Sequence, residues 1–159
     1  MRGSRGLALF LGLLAVYAAT LALPGGRSAR EERILGVATT LQREGRVLLE
    51  PVDLGLPLVA VPLLELDGVT AVSLLCAVAM ALAFALSASL ARRVVPDPWA
   101  TGAALVAGLS PPVLGAATAV GPEPLAAAVL AGAALCALRV REGDPHPPVR
   151  LAVVAALLL

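Results

Sequence analysis

The sequence predicts an all-α, polytopic membrane protein: about four complete transmembrane helices, the start of a fifth, and an amphipathic helix on the outer face. Three observations predict it. Hydrophobic residues make up 59% of the 159 and charged residues only 14%, a balance that would make a water-soluble domain of this size aggregate. Apolar runs recur at lengths near the roughly 20 residues needed to cross a hydrocarbon core about 30 Å thick. Arginines gather beside the ends of those runs, as they do where short loops stay on the cytoplasmic side.

The apolar content is mostly Ala, Leu and Val, aromatic residues are 3%, and all twelve basic residues are Arg. This bias reads as the signature of a GC-rich coding sequence. The formal net charge is +1 and the arginines form short clusters instead of one face, so nucleic-acid binding is set aside. Cys76 and Cys136 lie inside apolar runs with no His or Cys at ligand spacing, which makes them buried thiols.

Taken in order, residues 6–23 follow Arg2 and Arg5, carry no charge and read as the first membrane helix. A basic start, an apolar stretch and small residues near its end also fit a secretory signal peptide. Residues 24–68 form an outer loop. Within it Ile34, Val37, Ala38 and Leu41 repeat at helical spacing while Arg33, Gln42, Arg43 and Glu44 fall outside that stripe, so an amphipathic surface helix is expected. Ser28 is its N-cap, Glu31 the capping-box partner and Gly45 the stop. Residues 54–66 are apolar but contain Pro57 and Pro62, and read as an interfacial or re-entrant segment.

Residues 69–91 are a charge-free run closed by Arg92 and Arg93, the second membrane helix. Residues 99–120, interrupted at Ser110-Pro111-Pro112, and 124–140 form a helical hairpin whose turn holds Gly121, Pro122 and Pro124, residues that a helix interior rejects. A polar loop containing His146 follows, and a fifth run, 149–159, is too short to span. The whole reads as one transmembrane domain, and the chain as an N-terminal fragment of a longer protein. Arg2, Arg5, Arg92, Arg93, Arg139, Arg141 and Arg150 then share the cytoplasmic side, which places the N-terminus in the cytoplasm, the chain in the plasma (inner) membrane, and the 24–68 loop and the Glu123 turn outside.

Three carboxylates stand out. Glu123 sits between two apolar segments at the outer face, where a charge needs solvent or a partner and is a functional candidate by default; a wet turn whose Glu caps the next helix explains it equally well. Glu31 and Glu32 open the surface helix, where the helix dipole already favours acids. Their shared face with Glu123 is the interest, because paired carboxylates can serve as a general base and an orienting or metal-binding group. His146 reads as a solvated loop histidine and Ser110 as a helix break. No phosphate-binding glycine loop, HExxH or CxxC occurs.

The order of features matters: an apolar helix, then Ala29-Arg30-Glu31-Glu32-Arg33-Ile34-Leu35, then Gly55-Leu56-Pro57-Leu58, then Leu109-Ser110-Pro111-Pro112 and Pro122-Glu123-Pro124-Leu125. From about residue 6 to 141 this order resembles the N-terminal part of polytopic membrane glycosyltransferases of the C superfamily. The resemblance implies a domain of about a dozen membrane helices and a polyprenyl-phosphate-linked sugar donor. It further implies a catalytic base at Glu31 or Glu32 that activates an acceptor hydroxyl, and Glu123 positioning substrate or a cation, which leaves a divalent cofactor open. Family members often carry an Asp-Glu pair where this chain has Arg30-Glu31, so a degenerate, inactive relative remains an alternative. The competing class is a non-enzymatic membrane protein, a transporter fragment or a helical subunit. The expected partners are membrane lipid and the lipid-linked donor.

Overall fold

The computed structural model describes residues 2–21, 29–44 and 55–143. Among these residues the chain is helical throughout, with no strand: α1 (Arg2–Leu21), α2 (Ala29–Glu44), α3 (Gly55–Asp67), α4 (Val69–Ala91), α5 (Trp99–Gly108), α6 (Pro111–Thr118) and α7 (Glu123–Arg141). Ser28, Gly45, His146 and the fifth apolar run lie outside the described residues.

Helix α4 is the centre, packing against α1, α3, α5, α6 and α7. Its sequence suits that place. Ala77, Ala79, Ala81, Ala83, Ala85 and Ala88 are all buried, and small side chains there let neighbouring backbones approach closely where lipid supplies no hydrophobic drive between helices. Two clusters result. One joins Leu9, Leu13 and Tyr17 of α1 to Ala77, Met80, Ala81 and Ala88 of α4 with Ala104 and Ala117. The other joins Ile34, Leu35 and Ala38 of α2 to Leu56 and Ala60 of α3, Val72 and Cys76 of α4, and Val120.

The amphipathic reading of 29–44 therefore carries over: Ile34 and Ala38 of the expected stripe are buried together with Leu35, and Arg33, Gln42 and Arg43 stay exposed. The 54–66 segment is a helix with Pro62 inside it, where the missing N–H leaves the carbonyl four residues back without its usual donor. Gly68 ends it at φ 60°, ψ −137° and begins α4, a conformation open to glycine and strained for other residues.

The described residues do not bear out the expected number of spans. Among the described residues two helices, α4 and α7, are long and apolar enough to cross a membrane, and the bent pair α5 and α6 makes a third passage if it counts as one. The described apolar part of α1 covers Arg5–Leu21, about 25 Å at 1.5 Å per residue. The expected third span, 99–120, is two helices bent by 65°.

Prolines explain the bend. Pro111 and Pro112 remove the N–H groups that the carbonyls of Ala107 and Gly108 would accept in a continuous helix. Both carbonyls find other donors: Ala107 O takes Ser110 N at 3.2 Å and Ser110 Oγ at 2.7 Å, while Gly108 O takes the buried hydroxyl of Tyr17 at 2.9 Å. Gly108 has no room for more, since a Cβ there would meet Leu13 Cδ2 at 3.0 Å and the Tyr17 hydroxyl at 3.3 Å.

The outer surface fits an apolar solvent. Leu7, Leu11, Leu74, Leu82, Val106 and Leu130 are exposed, and no polar or charged residue among the described ones is buried. Helix α7 buries little beyond the side that meets α4.

Replacing Tyr17 by Phe removes the hydroxyl that donates to Gly108 O, and a buried carbonyl left unpaired costs about 1–3 kcal/mol. Unfolding of Y17F in detergent, followed by helical circular dichroism, is expected to show that loss; an unchanged midpoint would mean that the break is satisfied in another way.

Candidate functional site

Charged residues collect at the two ends of the bundle. Near one end the first turn of α2 meets the turn between α6 and α7. Glu31 Oε1 accepts the backbone N–H of Val120 at 2.8 Å, and Arg30 Nη1 donates to Glu123 Oε1 at 2.5 Å. Beneath them the Cys76 thiol lies 3.7 Å from Gly121 O. A Cβ on Gly121 would meet the end of the Glu123 side chain, so any larger residue there would displace that carboxylate from its present position.

Each contact has a local cause. Ala119 leaves α6 with φ −79° and ψ 147°, an extended geometry in which the next N–H has no helical acceptor, and the Glu31 carboxylate supplies one to buried Val120. Glu123 is the first residue of α7, after Pro122 as N-cap, and a carboxylate there gains about 0.3–1 kcal/mol from the helix dipole. Its pair with Arg30 is solvated on both sides, 62% and 50% exposed, and such surface pairs are worth about 0–1 kcal/mol.

The three carboxylates singled out in the sequence thus lie in one region, and differ in what they do there. Glu31 is engaged as an acceptor for the turn, and Glu123 is engaged by Arg30. Glu32 is exposed on the same helical turn and, among the described residues, takes part in no ion pair. Glu123 faces a guanidinium, and among the described residues no group of three His, Cys, Asp or Glu side chains able to hold a metal gathers.

At the opposite end α1, α4 and α5 meet through Asp97. Its carboxylate takes Arg5 Nη1 at 3.1 Å and lies 3.4 Å from Arg92 Nε. Thr101 links the group, donating its hydroxyl to Asp97 Oδ1 at 2.5 Å and accepting from Arg92 Nη2 at 2.9 Å. The Thr101 hydrogen bond above all, with Arg5 and Arg92 beside it, holds the Asp97 carboxyl below its ordinary range. Arg93 pairs with Glu142 just past the end of α7. A groove of about 600 Å³ opens here between α1 and α5, lined by Arg5, Asp97, Thr101, Ala8, Leu9 and Leu105.

Sequence reasoning missed Arg30, Asp97, Thr101 and Tyr17. Asp97 carried a usable signal, as an acid one residue from a proline and close behind two arginines. Tyr17 carried another, as the sole tyrosine of the chain in an apolar helix. The Arg30–Glu123 and Glu31–Val120 contacts, 93 and 89 residues apart, had none. Compared with protein-family models, with curated proteins and with solved structures, the chain matches none of them.

Two outcomes test this geometry. Glu31→Ala should leave the Val120 N–H without its acceptor and speed its hydrogen exchange at least several-fold, whereas Glu31→Gln keeps a carbonyl oxygen in place; equal exchange in all three proteins would show that Glu31 does not hold the turn. The Asp97 carboxyl, held low in the folded chain, contributes stability above its ordinary value of about 3.9 that is lost as pH falls through the lowered one. Unfolding midpoints should therefore drop on acidification below about pH 4, and Asp97→Asn should flatten that part of the profile; a variant with the parent's profile would assign the acid effect to other groups.

Proposed function

We propose that the chain is a membrane glycosyltransferase, or a portion of one, that transfers a sugar from a polyprenyl-phosphate-linked donor at the outer face of the plasma membrane. The observation that carries the reading is the gathering of Glu31, Glu32 and Glu123 at one end of the bundle through contacts between α2 and the α6–α7 turn. In this reading α1, α4, the bent pair α5–α6 and α7 each pass the membrane, and α2 lies on the outer face. The arginine end stays in the cytoplasm with the N-terminus, as short basic loops do.

The chemistry needs a base for an acceptor hydroxyl and a means of stabilising the departing phosphate. Glu32, exposed beside the engaged Glu31, takes the hydroxyl proton. The acceptor oxygen forms its bond to the anomeric carbon as the bond from that carbon to the phosphate oxygen breaks, and polyprenyl phosphate leaves with the electron pair. Arg30, oriented by Glu123, offers its remaining N–H groups to that phosphate. Glu31 keeps the first turn of α2 against the hairpin and thereby sets where Glu32 stands. A transporter is disfavoured because such proteins place ionisable groups near the bilayer midplane, whereas the charged contacts here lie toward the helix ends.

A non-enzymatic helical subunit is the second reading, favoured by one observation: α7 buries little beyond its α4 side and leaves Leu130 exposed. Its small residues suit a further helix.

The deciding measurement is transfer of labelled sugar from polyprenyl-phosphate donors in membranes holding the full reading frame at matched expression. Glu32→Gln should lose about 100-fold or more, the range for removing a general base, Glu123→Gln should raise the donor KM more than it lowers kcat, and Glu31→Gln should stay within a few-fold of the parent. Absence of transfer by the parent with every donor tried would favour the subunit reading. Transfer unchanged by Glu32→Gln would move the base elsewhere.

A further inference from the structure

We infer that the groove between α1 and α5 at the arginine end binds one anionic phospholipid, with the lipid phosphate on Arg5 and an acyl chain along Ala8, Leu9 and Leu105. The inference is independent of the transferase reading. It rests on the shape, the charge and the axial order of the groove.

Its volume of about 600 Å³ lies within the roughly 300–1,000 Å³ that small-molecule sites occupy. Along α1 the lining changes from Arg5 to Ala8 and Leu9, and along α5 from Asp97 and Thr101 to Leu105. Both helices run in the same direction away from this end, so both walls turn from polar to apolar over about 6 Å, one helical turn. A phospholipid has the same order, from phosphate to chain. Ala8 and Leu105 are exposed while Leu9 is the buried floor, so the apolar wall opens to the side from which lipid arrives.

Charge selects an anionic occupant. Two cations, Arg5 and Arg92, face the single carboxylate of Asp97, which leaves the cluster one positive charge in excess. Thr101 and Arg92 anchor Asp97 from the protein side, and Arg5 spends one N–H on it. The guanidinium has five donors, so most of its fork is open to a phosphate, the group it binds best. Glu142, the other carboxylate of this end among the described residues, is occupied by Arg93. A free phosphate would satisfy Arg5 but leave the Ala8, Leu9 and Leu105 wall unused.

Trp99 gives the test a reporter, being the sole tryptophan of the chain, 73% exposed and next to Pro98 in the groove. The full chain is reconstituted in phosphatidylcholine vesicles containing either brominated phosphatidylglycerol or brominated phosphatidylcholine, and quenching of Trp99 is followed. Stronger quenching by the anionic lipid is expected. Arg5→Gln should weaken the apparent affinity about five-fold, the factor equivalent to about 1 kcal/mol per arginine near an anionic surface. Ala8→Phe, which fills the groove and keeps every charge, should remove the preference with helical circular dichroism unchanged. Equal quenching by the two lipids overturns the proposal. So does a preference that both variants retain, which would mean a general surface attraction, and so does a preference abolished by excess inorganic phosphate, which would mean a site for the phosphate group alone.

Discussion

The fold depends on how two adjacent prolines are accommodated in an apolar helix. A bilayer offers no water to unpaired backbone groups, and each one left open there costs several kcal/mol. Pro111 and Pro112 open two carbonyls, and the chain closes both, one with Ser110 and one with the Tyr17 hydroxyl from α1. This repair makes the 65° bend tolerable. After the bend, α6 ends in the extended Ala119, and Val120 and Gly121 lie against α2 and α4, where Glu31 and Cys76 meet them. Gly108 belongs to the same device, because only the absence of a Cβ lets Leu13 and Tyr17 come so near.

Charge follows the same logic of segregation. Helix α4 packs against five neighbours through buried alanines, a surface with no place for an ionised group, and the acids and arginines lie toward the ends. At one end carboxylates serve backbone and arginine; at the other one carboxylate gathers two arginines and a threonine. Individually the exposed pairs add little stability. Their effect is positional: the ends of α1, α4 and α5 are tied at Asp97, and α2 is tied to the hairpin turn at Glu31 and Glu123. The proposed transfer site and the proposed lipid site are opposite ends of one arrangement, each built where helices that are distant in sequence come together.

For the candidate chemistry the structure separates roles that three similar carboxylates had shared. A glutamate that accepts a buried backbone N–H holds a loop, and moving its carboxyl group away would leave that N–H without this acceptor. One facing a guanidinium orients that cation. The remaining one, Glu32, has the exposure that a proton acceptor for an incoming hydroxyl requires. Neighbours in sequence can differ this way because successive helical residues point about 100° apart, so Glu31 faces the turn while Glu32 faces outward.

The sequence by itself determined the helical class, the long apolar helices and the bounds of α4, since length, hydropathy and flanking arginines depend on residues close along the chain. It also determined the stripe of α2 and the break at Ser110-Pro111-Pro112, because periodicity and proline stereochemistry are local. Only the tertiary structure decided that α5 and α6 are two helices with a sharp bend. Only it paired Tyr17 with Gly108, Arg30 with Glu123 and Asp97 with both Arg5 and Arg92. Those contacts join residues roughly 90 positions apart, apart from the near neighbours Arg92 and Asp97, and no local pattern encodes a partner that far away; packing around α4 brings the ends together.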